Sequence, residues 1–296
     1  MDRIQCLKDA RKYEHEVLHT AVKLFLLAKC EDWSSEEDKL FKYEAIPDGS
    51  FTDGSSLTND ELDYLLVLKG LSNHLEPSPA PGHHEEVLLS SQHKQHQKFI
   101  NHSFISAYPV MLKFEQLFEK ACIKFEDEIQ IGEYILTYIG KQRGNHDVNQ
   151  LIFRWKNSKN KKSIIKVDVT PCFKLQAYWH PKWRDKYPEG TEIQRYCYAL
   201  IRKPKDFELK FLCTAASVEN QMVRIMPDVC RNGLILAKAM RSVYITPRTA
   251  QQTHRYKDHE PSSYFQKNCA LSVAHHNPSL NSIPGDNLDK IIEIAF

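Results

Sequence analysis

Apolar residues recur at helical spacing over residues 2–30 and then give way to shorter alternating runs. Ile4, Leu7, Ala10, Val17, Leu18, Ala21, Val22 and Phe25 fall largely on one side of a helix, with Arg3, Lys8, Arg11, Lys12 and Glu16 elsewhere. Trp33–Ala45 is charged and reads as helical or irregular. A strand over Tyr64–Leu68 follows, entered through Glu61 and Asp63. The prolines and glycine of Ser72–Glu86 predict a surface loop. Phe99–Phe125 reads as helix, with a break or kink at Pro109. Between Gly132 and Val169 the runs G-E-Y-I-L-T-Y-I-G, L-I-F-R-W-K and S-I-I-K-V-D-V predict successive strands, the last stopping at Pro171, with a hairpin at Asn157–Lys162. Trp179–Gly190 is a proline-punctuated, structured loop. Ile193–Ile201 and Phe207–Ala215 are two more strands, and the pattern turns helical beyond Ser217. The pattern is α+β, with strands gathered in the middle of the chain.

At 296 residues the chain can bury a substantial core as one large domain or two lobes. Forty basic against 38 acidic residues give +2, a balance that names no partner. The 8 cysteines form no C-x-x-C pair, which favours reduced thiols in an intracellular protein. The N-terminus lacks a signal-peptide core and no run reaches transmembrane length, so the expectation is a cytoplasmic protein with no membrane partner, nuclear residence remaining open.

Three stretches carry candidate chemistry. Gly49-Ser50 is a turn pair, where glycine admits a close phosphate and turn N–H groups can hold an anion. Glu61 and Asp63 alternate onto one face of their strand. Asp168, between Val167 and Val169, is a carboxylate centred in an apolar strand; it is either paired or metal-bound, or it faces water from an edge. If the two strands are neighbours, the three acids can share hard divalent cations of the Mg²⁺ kind, which favour carboxylate and phosphate oxygens. Ordinary strand-entry acids and a common turn dipeptide are the plainer alternative.

Other features are less specific. His83, His84, His93 and His96 invite zinc, yet without a cysteine partner a solvated loop accounts for them more simply. Lys141, Arg143, Arg154, Lys156, Lys159, Lys161, Lys162 and Lys166 oppose only Asp147, which suits either nucleic-acid contact or a soluble hairpin. Trp183 with Arg184 is a stacking platform or, more simply, a buried anchor.

The order G-S, E-x-D on a strand, then a distant D on a second strand resembles the nucleotidyltransferase core of the cyclic GMP-AMP synthase-like receptors, in the Mab-twenty-one family. A-Y-W-H-P-K-W (177–183), Y-A-L-I-R-K-P (198–204), the S-x-x-E helix from Ser217, the following R…L-I-L-A-K-A-M-R helix and S-S-Y-F-Q-K (262–267) resemble that family's segments in the same order. The resemblance implies a bilobal nucleotidyltransferase fold with a mixed β-sheet core. A spine helix and core would cover 1–216, and a helical lobe, shorter than the family's, 217–296. It implies that Glu61, Asp63 and Asp168 hold two Mg²⁺ or Mn²⁺ ions and that Gly49 and Ser50 cradle a donor triphosphate. Lys238 and Ser263 would contact donor phosphates, Tyr264 would stack on the donor base, and Glu219 would reach the second nucleotide. The implied product is a cyclic dinucleotide, made from ATP and GTP on a ligand signal and read by a STING-type receptor.

Two departures shape the expectation. Leu212 stands where vertebrate relatives place a base-reading arginine, which leaves base choice open. Cys230 lacks the neighbouring His and Cys of a zinc thumb, so no structural zinc is expected, and double-stranded RNA or an unknown ligand replaces double-stranded DNA as activator. The alternative from the same fold is a catalytically silent developmental or scaffolding protein.

Overall fold

The computed structural model describes residues 3–31, 36–49, 52, 61–82, 85–124, 128–143, 149–157, 159, 161–183, 196–201, 209–240 and 263–295. Contacts divide the chain into two compact units, Met1–Asp48 with Asn59–Ala216, and Gly49–Thr58 with Ser217–Phe296.

The first unit is built on a sheet of 12 described strands. In chain order its elements are α1 (Arg3–Leu24), continued by a π-helical turn at Phe25–Glu31, then β1 (Tyr43–Asp48), β2 (Glu61–Leu68) and the short α2 (Lys69–Ser72). β3 (Glu76–Pro79) and β4 (Glu86–Ser90) follow, then a 3₁₀ turn at Lys94–Phe99, β5 (Ile100–Asn101), β6 (Phe104–Ile105) and α3 (Ala107–Lys124). The central ladder is β7 (Glu128–Ile131), β8 (Tyr134–Arg143), β9 (Asn149–Lys156) and β10 (Lys162–Gln176), joined by β11 (Tyr196–Leu200) and β12 (Lys210–Thr214). The order runs β5-β6-β4-β12-β11-β10-β9-β8-β7, with β2 parallel to β10, β1 antiparallel to β2 and β3 on β4. The arrangement is mixed α+β, with a large sheet and helices.

The alternation of β9 and β10 decides what the sheet packs against. Leu151, Phe153, Trp155, Ile165, Val167 and Val169 are buried, whereas Arg154, Lys162, Ile164 and Lys166 between them are exposed. The buried side faces the long helix. Phe25 meets Phe153 edge-on at 5.0 Å and stacks on Tyr138 at 5.3 Å. Tyr64 of β2 places its hydroxyl 2.8 Å from His19 Nδ1, and Trp155 donates Nε1–H to Glu14 at 3.3 Å.

Four elements differ from the sequence reading. Tyr43–Asp48, whose first three residues were read as helical or irregular, is a strand, because Tyr43 and Ala45 alternate into the core beside β2. The predicted loop at Ser72–Glu86 contains β3, whose prolines sit on a strand with only β4 as partner. Pro109 neither breaks nor kinks α3: it lies in the first turn, where its missing N–H has no partner to lose. β10 does not stop at Pro171. The strand pairs with β9 through Val169 and with β11 from Cys172, so the residue without an N–H falls at the change of partner. The Pro171 carbonyl still accepts from Ile201 N at 2.9 Å.

The second unit is helical, with α4 (Ala216–Ile225), α5 (Asp228–Met240), α6 (Ser263–His276) and α7 (Leu288–Ala295). Val223, Met226, Val229, Cys230, Leu234, Ala270, Leu271 and Leu280 form its dry centre. Gly233 lets α7 approach α5: a Cβ there would lie 2.7 Å from Ile294 Cγ2.

Candidate functional site

β2 and β10 run parallel with Asp63 opposite Asp168 and Glu61 opposite Lys166. Register partners in a sheet share a face, so the acids separated by about a hundred residues of chain become neighbours. Their strands meet because Leu62, Tyr64, Leu66, Val167 and Val169 are all buried on the reverse face. β1 adds a residue missed from sequence: Asp48 pairs with Asp63, and Gln150 of β9 pairs with Asp168. Asp48, Asp63, Asp168 and Gln150 thus form one row across four strands. The signal for Asp48 was its place immediately before Gly49, but it became readable only once Tyr43–Asp48 was a strand.

The row stands at the border of a dry patch. Further along the same face lie Leu65, Val67, Cys172, Tyr198 and Ala216, packed as one apolar cluster. Glu61 is exposed and Asp63 and Asp168 are half-buried. Burial pushes the Asp168 carboxyl above its ordinary pKa; the Gln150 hydrogen bond and the Lys166 charge pull the other way. Gln150 donates Nε2–H to Asp168 Oδ1 at 2.8 Å.

The row can be compared with what a divalent cation needs. The donors are all carboxylate oxygens, as hard cations require, and a carboxylate raised by burial is one that a cation would stabilise as the anion. Backbone register and donor chemistry therefore fit. The side-chain positions are less advanced: among the described residues, no group of three His, Cys, Asp or Glu side chains stands ready to hold a metal ion.

Gly49 follows directly on β1 with φ +71°, a left-handed conformation that glycine adopts without a Cβ penalty. Ser50 lies outside the described residues. In the helical unit, Glu219 is buried in the first turn of α4 and pairs with Lys267 Nζ at 3.4 Å. The carboxylate expected to reach a nucleotide is thus engaged within its own unit. Lys238 lies in the last turn of α5, and Ser263 and Tyr264 open α6.

Trp183 is fully buried, which makes it an anchor and not an open stacking platform; Arg184 lies outside the described residues. His93 and His96 do not belong to a solvated loop. His96 is buried, with Nδ1 2.9 Å from Ser91 Oγ, and His93 stacks on His74 at 4.7 Å. His83 and His84 lie outside the described residues. Cys230 packs in the apolar centre of the helical unit. No described helix is long and apolar enough to cross a membrane.

No curated protein matches the chain. The model of one family, described as the Mab-21 protein nucleotidyltransferase domain, matches residues 57–208, a stretch that contains Glu61, Asp63 and Asp168. Spanning half of the chain and the whole β2–β10 pairing, that match makes the protein a member of the Mab-21 nucleotidyltransferase family.

Proposed function

We propose that this chain is a metal-dependent nucleotidyltransferase that joins nucleoside triphosphates into a cyclic dinucleotide, a ribose hydroxyl attacking the α-phosphate in each of two rounds while pyrophosphate leaves. The observation that supports it most is the parallel register of Asp63 with Asp168, Glu61 being one step along the same face. Glu61, Asp63 and Asp168 would hold Mg²⁺ or Mn²⁺, which when bound supplies positive charge to the phosphates and acidity to the attacking hydroxyl.

The chain's own groups have separable tasks. Gln150 fixes Asp168 Oδ1, which leaves Oδ2 to take the ribose hydroxyl proton. Asp63 and Glu61 orient the donor, and Gly49 with Ser50 receives its triphosphate through backbone N–H groups. Lys238, Ser263 and Tyr264 bind the donor nucleotide and Glu219 the second one, roles drawn from the family resemblance. For Glu219 this requires exchange of its Lys267 partner. An activating ligand such as double-stranded RNA and a STING-type reader of the product complete the proposal.

The test incubates purified protein with labelled ATP, GTP, CTP and UTP plus Mg²⁺ or Mn²⁺, with double-stranded RNA, double-stranded DNA or neither. A phosphatase-resistant small product, absent for Asp63→Asn, is expected. Products that lengthen with time would replace the cyclase reading with end-extension. Failure to bind any nucleotide, with or without metal, would overturn the enzyme altogether.

A further inference from the structure

The sheet face that carries the acid row continues outward along β9 and β10 as an open surface. Moving away from Asp168 and Gln150, successive register pairs on this face are Lys166 with Ile152, Ile164 with Arg154, and Lys162 with Lys156. Every level therefore carries a cation, and the two intermediate levels alternate which strand supplies it. The levels are about 6.6 Å apart, two residues of strand rise.

Three properties separate this surface from a random spread of lysines. Arg154, Lys162 and Lys166 are exposed, and Ile164 between them is 49% exposed although it is a large apolar side chain. None of Arg154, Lys156, Lys162 and Lys166 makes an ion pair or hydrogen bond through its side chain among the described residues. The reverse face of the same strands is dry and aromatic, with Phe153 and Trp155 buried beneath the cations. The nearby acids bound the surface without filling it. Glu61 flanks Lys166 from β2, and Glu128 of β7 accepts from Thr137 Oγ1 at 3.1 Å.

We propose that this face is a binding track for single-stranded nucleic acid. A stretched strand repeats its phosphates at a spacing comparable to one register level, so each level can meet one phosphate. Ile152 and Ile164 offer apolar area to sugars and base faces between the charges. A duplex fits less well, because it presents two phosphate rows around a helical surface whereas the cations form one file two strands wide. The track ends at Lys166, the cation that already acts on Asp168. Binding here is independent of the nucleotidyl-transfer proposal.

The experiment measures fluorescence anisotropy of a labelled uridine oligonucleotide, a duplex RNA of equal length and heparin across a salt series. All arms contain chelator, and Asp63→Asn is included so that binding is read apart from catalysis. The wild-type chain should bind the single strand more tightly than the duplex. Arg154→Ser with Lys166→Ser should weaken it about tenfold and lower the salt slope by about one and a half. Lys98→Ser with Lys120→Ser, on other elements, should leave both unchanged. Circular dichroism melting confirms that each variant is folded. Equal loss in both double variants, equal binding of heparin, preference for the duplex, or unchanged affinity of Arg154→Ser with Lys166→Ser would each overturn the track.

Discussion

The two faces of the β8–β9–β10 ladder are made by alternate residues of the same strands, yet they obey different physics. Toward α1 the surface is dry and aromatic: Phe153 and Tyr138 meet Phe25, Trp155 stacks on Tyr134, and Tyr64 meets His19. On the other side, Asp63, Asp168, Arg154 and Lys166 stand in or near solvent, and Ile164 is left half uncovered. One face supplies stability and the other is free to carry charge, because a single residue step along a strand changes sides. Substitutions on the two faces should therefore separate into different classes of effect.

The largest effect is expected on the dry face. Phe153→Ala removes an aromatic ring that is fully buried between Phe25 and Tyr138 and should cost about 3–5 kcal/mol, read by urea denaturation. A loss below about 1 kcal/mol would mean that α1 and the sheet are not packed as described.

Asp168→Asn sharpens the contrast by moving activity and stability in opposite directions. Transfer should fall about a hundredfold or more, while thermal stability at neutral pH should rise. The sign follows from burial. The folded-state pKa of Asp168 lies above the unfolded one, so the folded chain binds more protons between the two values and loses stability as pH rises through them. Asparagine removes that charge and keeps an oxygen for Gln150. A melting temperature that falls would show that Asp168 contributes to the fold as an anion.

Acid should weaken the dry face selectively. Burial, then the His19 charge, lowers His15 to about 4 against the opposing pull of Glu14; burial also lowers His19. Between about 6.5 and 4 the unfolded chain binds more protons there, so stability present at neutral pH is lost as pH falls. On the order of 1 kcal/mol is expected after allowance for solvent screening, and His15→Gln should flatten the melting profile over that range. The smallest effect is assigned to the open face: Lys162→Ser should stay within about 0.5 kcal/mol of wild type by thermal melting.

Periodicity made the long helix, the middle strands and the helical end legible, since burial on one side leaves a repeat in the sequence. Glu61, Asp63 and Asp168 were legible as candidates for the same reason, as charges interrupting apolar strands. Their register was not, because no local signal says which strand lies beside β2. Prolines misled twice in the same way. Pro109 was read as a break or kink and Pro171 as a stop, yet each sits where a missing N–H costs nothing, in a helix's first turn and at a strand's change of partner. β3 and Asp48 went unseen because short strands at a sheet's margin carry too few residues to show alternation. The partner of Glu219 was likewise hidden, since Lys267 is in a different helix far along the chain.

The parallel pairing of β2 with β10 has a consequence in time as well as in space. Asp63 and Asp168 are brought together only by joining segments about a hundred residues apart, after β7, β8 and β9 have been made between them. Such non-local parallel contacts are slow to form, because a long loop must close before any pairing energy is returned. During synthesis the strand bearing Asp63 leaves the ribosome well before its neighbour exists. The acid row is therefore a late product of folding, and a chain interrupted before β10 holds the two-strand β1–β2 piece with Asp48 and Asp63 but without their third acid.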